Sequence, residues 1–365
     1  MSGNSGAIGF YASIGPNLNS TNRWCNRPAL YNGNATIPSD IYHNVWIRAS
    51  YTFDGRNVLG LVHDETHGFL LPDPEKWCPS MQHNHCWMTF ATVALSTDGG
   101  YTFRLNPADS RVALSTSLPY VPDGGVMGVP QHSNIVRPPG SDYVYTMSGA
   151  VCNSTTAPLP GIKGNPKLCV HRAPANPEQL LGNHSCWRAW GGEHRGYDVP
   201  MVDPWRNPVP SSANFSATHV CAGIEVPPMP WLDPITNTSH SLPVSLSSGS
   251  WSWSNITGSF IKTGQAKLPN PLPGQGDFIF VYALSPDAIH WTVPKPLKPF
   301  WGTRTAVHGE QHYPSILDPA DGTMNYERTG AAPYLWAMEE EVDVQPGEDT
   351  HRNLVRWRLS VASGE

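Results

Sequence analysis

Apolar residues recur along this chain in short runs that end at turn-forming residues. The runs at 45–51 and 58–63 flank a segment that contains Asp54-Gly55, a dipeptide typical of β-hairpin turns. Further runs of the same kind lie at 88–95, 133–136, 143–147, 278–284, 314–317, 334–338 and 354–361. Helical periodicity is weak, and only residues 177–181 suggest a short helical turn. The pattern predicts an all-β protein of many short strands.

A larger unit repeats near 46–63, 133–147 and 314–338, where a strand, a Gly-containing turn and a Tyr- or Trp-rich strand follow one another. Repeats of this size with three or four strands are typical of propeller blades. At roughly 70 residues per blade, the chain is long enough for five blades. Because no linker-like tract or break in composition interrupts it, we expect a single domain over residues 1–365, an all-β five-bladed β-propeller.

Composition excludes several other classes of protein. The 37 prolines and 33 glycines are too frequent for a coiled coil or a helical bundle, and the 39% hydrophobic content argues against disorder. Lys and Arg are scattered and the net charge is −6, so no nucleic-acid partner is expected. The sequence contains no apolar run long enough for a membrane span. Its first residues lack the features of a signal peptide, so either the protein is not secreted or a signal has been removed.

Two residue counts favour an extracellular location. Asn-x-Ser/Thr sequons exceed what chance gives, and we expect glycans on several of them, although a composition rich in Asn, Ser and Thr is an alternative explanation. The seven sequon asparagines are Asn19, Asn34, Asn153, Asn183, Asn214, Asn237 and Asn255.

The cysteines are the second count, because local disulfides across long surface loops are typical of an oxidising compartment. The expected local pairs are Cys78/Cys86, Cys152/Cys169 and Cys186/Cys221. Spacing does not fix the connectivity, and reduced, buried cysteines are the alternative. Cys25 is left over, either free or paired with another chain.

Some segments resemble a known family. Residues 96–103 are similar to the Asp-box of sialidase-type propellers, and residues 285–291 resemble a degenerate second copy. Residues 133–135 and 313–316 resemble blade openings of five-bladed glycoside hydrolases, and residues 46–221 are similar to a group of secreted bacterial glycosyl-hydrolase-like proteins. The resemblance implies a sialidase/furanosidase-like propeller with structural Asp turns. The sequence lacks the sialidase opening motif, a clear arginine triad and the furanosidase opening Asp motif. The resemblance therefore supports the fold more than the reaction.

Residues 63–67 and 308–312 both read His-x-Glu-x-His. On a strand, the two imidazoles and the carboxylate of such a segment share one face, and inner propeller strands line the central pocket. One interpretation is glycoside hydrolysis, with Glu65 and Glu310 roughly 5–10 Å apart in an axial cavity. The alternatives are a divalent metal site, formed by these His and Glu residues, and a structural hydrogen-bond network.

Other residues add candidates for the site. Glu225 lies in an apolar run, where an acid would be buried unless paired, and is the third catalytic candidate. Glu193 and Asp203 are weaker carboxylate candidates, and His83-Asn84-His85 can form a metal clip or simply a disulfide-closed loop. The 14 tryptophans fit sugar stacking, with core packing as the alternative. The expected substrate-binding residues are His63, His67, His308, His312, Trp190 and Trp205.

The sequence therefore predicts a secreted carbohydrate-active protein, with a glycoside hydrolase favoured. One alternative is a non-catalytic extracellular glycoprotein that binds glycans or self-assembles in a coat or matrix, and another is a polysaccharide lyase. Carbohydrate is the expected partner, self-association is open, and no cofactor is expected apart from a divalent metal ion at the two pentapeptides. No P-loop, dinucleotide-binding motif or hydrolase elbow is present in the sequence.

Overall fold

The structure is a computed structural model in which two compact units, Met1–Gly223 and Ile224–Glu365, are distinguished. The expectation of a single domain remains a prediction. The described residues are 9–10, 13–15, 20–23, 27–31, 44–105, 112–115, 120–151, 167–182, 186–201, 221–233, 236–246, 249–269, 278–301, 311–340 and 352–361.

The first unit is built mainly of strands, as the apolar pattern predicts. Its strands are β1 (Gly9–Phe10), β2 (Ser13–Ile14), β3 (Asn22–Arg23), β4 (Leu30–Tyr31), β5 (Asn44–Thr52), β6 (Val58–His67), β7 (Cys86–Ser96), β8 (Arg104–Leu105), β9 (Val112–Leu114), β10 (Gly125–His132), β11 (Tyr143–Val151), β12 (Lys167–Pro174), β13 (Arg188–Ala189) and β14 (Val199–Pro200). Its described helices are short: α1 (Pro74–Trp77), α2 (Pro177–Gly182) and two 3-10 turns, Gly68–Leu70 and His83–His85.

Two antiparallel meanders in this unit form one ten-stranded sheet, in the order β14-β13-β12-β11-β10-β7-β6-β5, with β8 and β9 both paired to β7. The meanders are joined by the parallel pair β7–β10. Gly128 permits this junction because a Cβ at its positive φ would collide with the backbone of Thr89. Each meander has the strand pattern of a propeller blade.

Alternating apolar side chains of both meanders form the main core of the first unit. Leu59 and Leu61 of β6, Val93 of β7, Val144 of β11 and Trp187 are fully or almost fully buried in one cluster. The same face of β6 continues beyond Leu61 with His63, Glu65 and His67.

The second unit repeats the pattern. Its strands are β15 (Met229–Leu232), β16 (Ser239–Leu242), β17 (Val244–Ser245), β18 (Trp251–Ser254), β19 (Ser259–Lys267), β20 (Phe278–Ser285), β21 (Lys295–Trp301), β22 (Gln311–Leu317), β23 (Arg328–Thr329), β24 (Tyr334–Glu340) and β25 (Arg352–Arg358). One sheet runs β21-β20-β19-β18-β23, with β17 on β19, and a second runs β22-β24-β25. Buried residues of β19, β20, β22 and β24 pack together in one core.

The protein is thus all-β over its described residues, with four propeller-like blades, two in each unit. The fifth blade remains a prediction. Among the described helices, none has the length and apolar character needed to cross a membrane.

Most predicted elements are confirmed, including the hairpin of β5 and β6 and the short helix α2. The run at 133–136 is an exception, because β10 already ends at His132. Beyond it, Ser133 binds Met147 through both its amide and its hydroxyl, and Val136 makes an isolated bridge to Tyr145. The side chain of Ser133 replaces a regular ladder contact, so no strand continues there.

Aspartates close the turns that follow β7 and β20. Asp98 accepts hydrogen bonds from the Ser96 hydroxyl at 2.7 Å and from the Thr102 amide at 2.9 Å. Asp287 accepts from the Ser285 hydroxyl and the His290 amide in the same way. The predicted capping role of these residues agrees with the geometry, whereas their assignment as sialidase Asp-boxes remains a prediction.

The described residues contain two disulfides, and only one has the expected pairing. Cys78–Cys86 is confirmed, but Cys169 is bonded to Cys221 rather than to Cys152, and Cys186 is therefore not bonded to Cys221. Cys186 is free. The physical reason is a long-range approach: the segment of Cys221 binds Trp190, which binds β12, and the Cα atoms of Cys169 and Cys221 lie 5.9 Å apart, within the usual range for a disulfide. Cys25 and Cys152 lie outside the described residues.

Candidate functional site

The first His-x-Glu-x-His segment occupies the end of β6, between β5 and β7. Because side chains alternate along a strand, His63, Glu65 and His67 lie on one face, as predicted. Both histidines are almost fully buried, whereas the Glu65 side chain remains 13% exposed. The carboxylate is thus the accessible polar group of the triplet.

Both histidines bind the carboxylate of Glu65. His67 Nε2 lies 3.0 Å from Oε1, and His63 Nε2 lies 3.4 Å from Oε2. Burial on its own would raise the pKa of Glu65, but the hydrogen bonds and charges of the two imidazoles outweigh it and lower the pKa to about 2. Burial also lowers the pKa of His63. Glu65 is therefore ionised at neutral pH.

Aromatic rings lie against the two histidines that bind this carboxylate, one from each neighbouring strand. Trp46, which pairs with His63 across β5 and β6, lies 4.3 Å from its ring, centroid to centroid. Trp87, which pairs with His67 across β6 and β7, lies 5.5 Å from its ring. Both tryptophans are half-buried, so each has a part that solvent or a ligand can reach.

A disulfide-closed loop brings a third imidazole to the site. The exposed His83 lies 4.4 Å from His67, ring to ring. Donor atoms of Glu65, His67 and His83 all lie within 4.8 Å of one another. The sequence predicts a loop at His83 but not its approach to the β6 triplet, because no local pattern reports that contact.

The loop that carries His83 is fixed at several points. The Cys78–Cys86 disulfide closes it, and the Ser80 hydroxyl donates to Asp123 at 2.6 Å. The Tyr120 hydroxyl donates to the carbonyl of Trp77 just before it. These contacts hold the position of the loop independently of any ligand.

Two further histidines lie buried in the same unit and escaped the sequence analysis. His132 of β10 donates from Nε2 to the carbonyl of Leu61 at 3.3 Å, and His171 of β12 is 2.8 Å from the Ser148 hydroxyl. Burial lowers the pKa of each to about 3, aided at His132 by the nearby charge of Arg48. Both imidazoles are therefore neutral at neutral pH. Their burial was not predictable, because a single histidine in an apolar strand forms no recognisable motif.

Glu225 does not fit the environment predicted for it. We expected burial, but the residue is exposed, because it lies in an irregular segment ahead of β15. Glu193 is exposed as well, and Trp190 is half-buried with its ring 5.2 Å from that of Tyr197. A catalytic role for Glu225 and a sugar contact for Trp190 remain predictions.

Several predicted site residues lie outside the described residues, namely Asp203, Trp205, His308 and Glu310. His312 belongs to β22 by its backbone. The expected approach of Glu310 to Glu65 therefore remains a prediction. Of the sequons, Asn237 and Asn255 are described and exposed, and glycosylation also remains a prediction.

Similar solved structures are glycoside hydrolases and related carbohydrate-active enzymes, at low sequence identity. A family 117 glycoside hydrolase from Zobellia galactanivorans is 13% identical, with a TM-score of 0.38, 98% of this chain covered and 76% of that chain. An N-acetylgalactosamine deacetylase from F. plautii, solved with blood group B trisaccharide, is 10% identical, with a TM-score of 0.42 and coverages of 87% and 73%.

A β-1,2-mannobiose phosphorylase from Listeria innocua, solved with β-1,2-mannobiose, is 9% identical, with a TM-score of 0.38 and coverages of 89% and 75%. No protein-family model matches the sequence, and no curated protein matches it.

Proposed function

We propose that the protein is a glycoside hydrolase that binds its sugar on the face of β6 that carries Glu65. The observation that carries this proposal is an ionised, partly exposed carboxylate whose two histidine partners contact the half-buried rings of Trp46 and Trp87. Aromatic faces pack against the apolar faces of sugar rings, and carboxylates accept hydrogen bonds from sugar hydroxyls. The face thus supplies both kinds of contact that a glycan needs.

The low pKa of Glu65 restricts its role in hydrolysis. A general acid must hold a proton near neutral pH, which a carboxyl group with a pKa of about 2 does not. Glu65 instead suits the nucleophile, the general base or the anion that stabilises an oxocarbenium-like transition state. We keep Glu310 as the proposed proton donor because it stands in the second His-x-Glu-x-His segment.

Replacing Glu65 by Gln tests this role. We expect Glu65→Gln to reduce hydrolysis of a responsive glycan by roughly 100-fold or more while glycan binding persists, because the amide keeps the shape and removes the charge. A panel of glycans and aryl glycosides identifies the substrate, and calorimetry measures binding. Glu178→Gln, an exposed change on α2 in the same unit, is the matched control and should leave both unchanged. Full hydrolysis by Glu65→Gln contradicts the proposal.

A non-catalytic glycan-binding protein is the second candidate, and one observation favours it. Both oxygens of Glu65 already accept hydrogen bonds from buried histidines, which suits a structural carboxylate. This candidate predicts that the wild-type protein binds glycans without hydrolysing any member of the panel. It also predicts that Trp87→Ala weakens that binding while the circular dichroism spectrum of the protein is unchanged.

A further inference from the structure

We propose that Glu65, His67 and His83 form a binding site for a divalent transition metal ion, with zinc the best fit. Two of the ligands come from one face of β6, and the third comes from the disulfide-closed loop. Metal binding itself does not depend on the proposed hydrolase function.

The distances between donor atoms are close to those around one ion. All three donors lie within 4.8 Å of one another. Glu65 Oε1 and His67 Nε2 are 3.0 Å apart. Two ligands of a tetrahedral zinc ion, each about 2.0–2.1 Å from the metal, are roughly 3.3 Å apart. Small rotations of the exposed His83 side chain are therefore enough to bring its nitrogen to ligand distance from the other two donor atoms.

The chemistry of the donors selects the type of ion. Two imidazoles and one carboxylate form a common zinc ligand set, with a fourth position left for water or substrate. Calcium and magnesium prefer sites made of oxygen atoms, so they fit this set poorly. His63 adds support, because its contact with the second oxygen of Glu65 orients the carboxylate in the way that neighbours of metal ligands commonly do.

The burial of His67 restricts where its imidazole can bind an ion. His67 is only 2% exposed, and its Nε2 atom faces the carboxylate of Glu65. An ion bound at Nε2 replaces the hydrogen bond between these two groups, so the remaining proton of the imidazole lies on Nδ1.

The site is also held in place before any ion binds. β6 is fixed by hydrogen bonds to β5 and β7 on both sides. The His83 loop is fixed by the Cys78–Cys86 disulfide and by the contact of Ser80 with Asp123. A preformed site spares the ordering cost that a flexible loop would add to the free energy of metal binding.

One consequence follows for the proposed glycan site, and this step alone rests on the proposed function. A bound ion coordinates the carboxylate of Glu65 and neutralises its charge. The carboxylate is then no longer available to a sugar or a reaction centre. We therefore expect zinc to inhibit hydrolysis, and added chelator to restore it.

Metal titration of the full-length, oxidised protein tests the site. The protein is treated with chelator, dialysed and titrated with Zn²⁺ by calorimetry in competition with a chromophoric chelator. We expect one zinc per chain at this site, and a loss of affinity of at least roughly tenfold in His83→Ala, since even neighbours of metal ligands contribute this much. His85→Ala, in the same loop but outside the group, is the matched control and should bind like the wild type.

Two outcomes overturn the proposal: a wild-type protein that binds no zinc, or a His83→Ala variant that binds zinc as tightly as the wild type. Thermal unfolding of each variant checks that the exposed His83 is dispensable for folding. Glycan binding and hydrolysis are measured separately in chelator. Their absence, with zinc binding intact, counts against the proposed function and leaves the metal site standing.

Discussion

At the scale of single residues, buried imidazoles dominate the chemistry of the first unit. His132 and His171 are completely enclosed among strands, so a proton on either would place a charge in a medium that solvates it poorly. Burial accordingly lowers both pKa values to about 3. The folded protein holds these groups neutral, whereas the unfolded chain protonates them near their ordinary pKa of 6.5.

This difference predicts that stability falls as the pH is lowered. A base whose pKa is depressed on folding leaves the unfolded state with more bound protons between pH 6.5 and 3, so stability is lost as the pH falls through that window. For His171 the loss amounts to roughly 2 kcal/mol between pH 7 and pH 5. Urea unfolding at a series of pH values measures it.

Substitution of His171 identifies the source of this slope. We expect His171→Asn to make the unfolding free energy less dependent on pH by about one proton, or about 1.4 kcal/mol per pH unit, near pH 5. His194→Asn replaces an exposed histidine in the same unit and is the matched control. An unaltered slope in His171→Asn would show that this imidazole does not titrate on unfolding.

The candidate site was partly predictable from the sequence. Sequence patterns report neighbours along one strand, but they do not report contacts between distant segments. A period of two along a strand places His63, Glu65 and His67 on one face, which the structure confirms. The approach of His83 depends on how a loop folds back over β6, so spacing alone does not reveal it. The expected burial of Glu225 was wrong, because an apolar run in an irregular segment does not imply burial.

At the scale of elements, the same kind of turn closes several hairpins. Thr52, Ser96 and Ser285 each stand two residues before an aspartate, and each hydroxyl lies within hydrogen-bond distance of that carboxylate. Such turns replace backbone partners that the chain loses where a strand reverses. They were predictable because both their residues and their partners are local.

Removing the carboxylate from one of these turns should destabilise the protein. Asp98 accepts hydrogen bonds from Ser96 and from both the amide and the hydroxyl of Thr102. We expect Asp98→Ala to lower the unfolding free energy by roughly 1–2 kcal/mol, as measured by urea unfolding at pH 7. Asp98→Asn keeps one acceptor oxygen and should lose less. Equal stability of Asp98→Ala and the wild type would mean that the turn forms without this cap.

The strands themselves followed from local patterns, but the links between blades did not. Alternation and the Asp54-Gly55 turn predicted the hairpin of β5 and β6. The parallel junction of β7 with β10 depends instead on the close approach of Gly128 to Thr89, residues far apart in sequence. Blade number is a property of such long-range junctions, so division of the chain length does not fix it, and the fifth blade stays a prediction.

At the scale of the whole molecule, the disulfides relate the fold to its environment. Disulfides persist in oxidising compartments, so the two observed bridges are consistent with an extracellular location. The pairing was missed because sequence proximity favoured Cys152 for Cys169. Hydrogen bonds from Trp190 to Val170 of β12, and from Ala222 to Trp190, instead bring Cys221 close to Cys169, 52 residues away.

The two bridges should differ in how much they stabilise the protein. In the chain-entropy model, stabilisation grows with the length of the closed loop, giving roughly 4 kcal/mol for a separation of 52 residues and roughly 2.5 kcal/mol for 8. We therefore expect Cys169→Ser/Cys221→Ser to lower the unfolding free energy more than Cys78→Ser/Cys86→Ser. Peptide mapping of the oxidised wild type should yield the Cys169–Cys221 cross-link. Burial raises the pKa of the Cys186 thiol to about 11. We therefore expect this thiol to stay unalkylated until the protein is denatured. A Cys186–Cys221 peptide, or rapid alkylation of Cys186 in the native protein, would contradict this arrangement of the first unit.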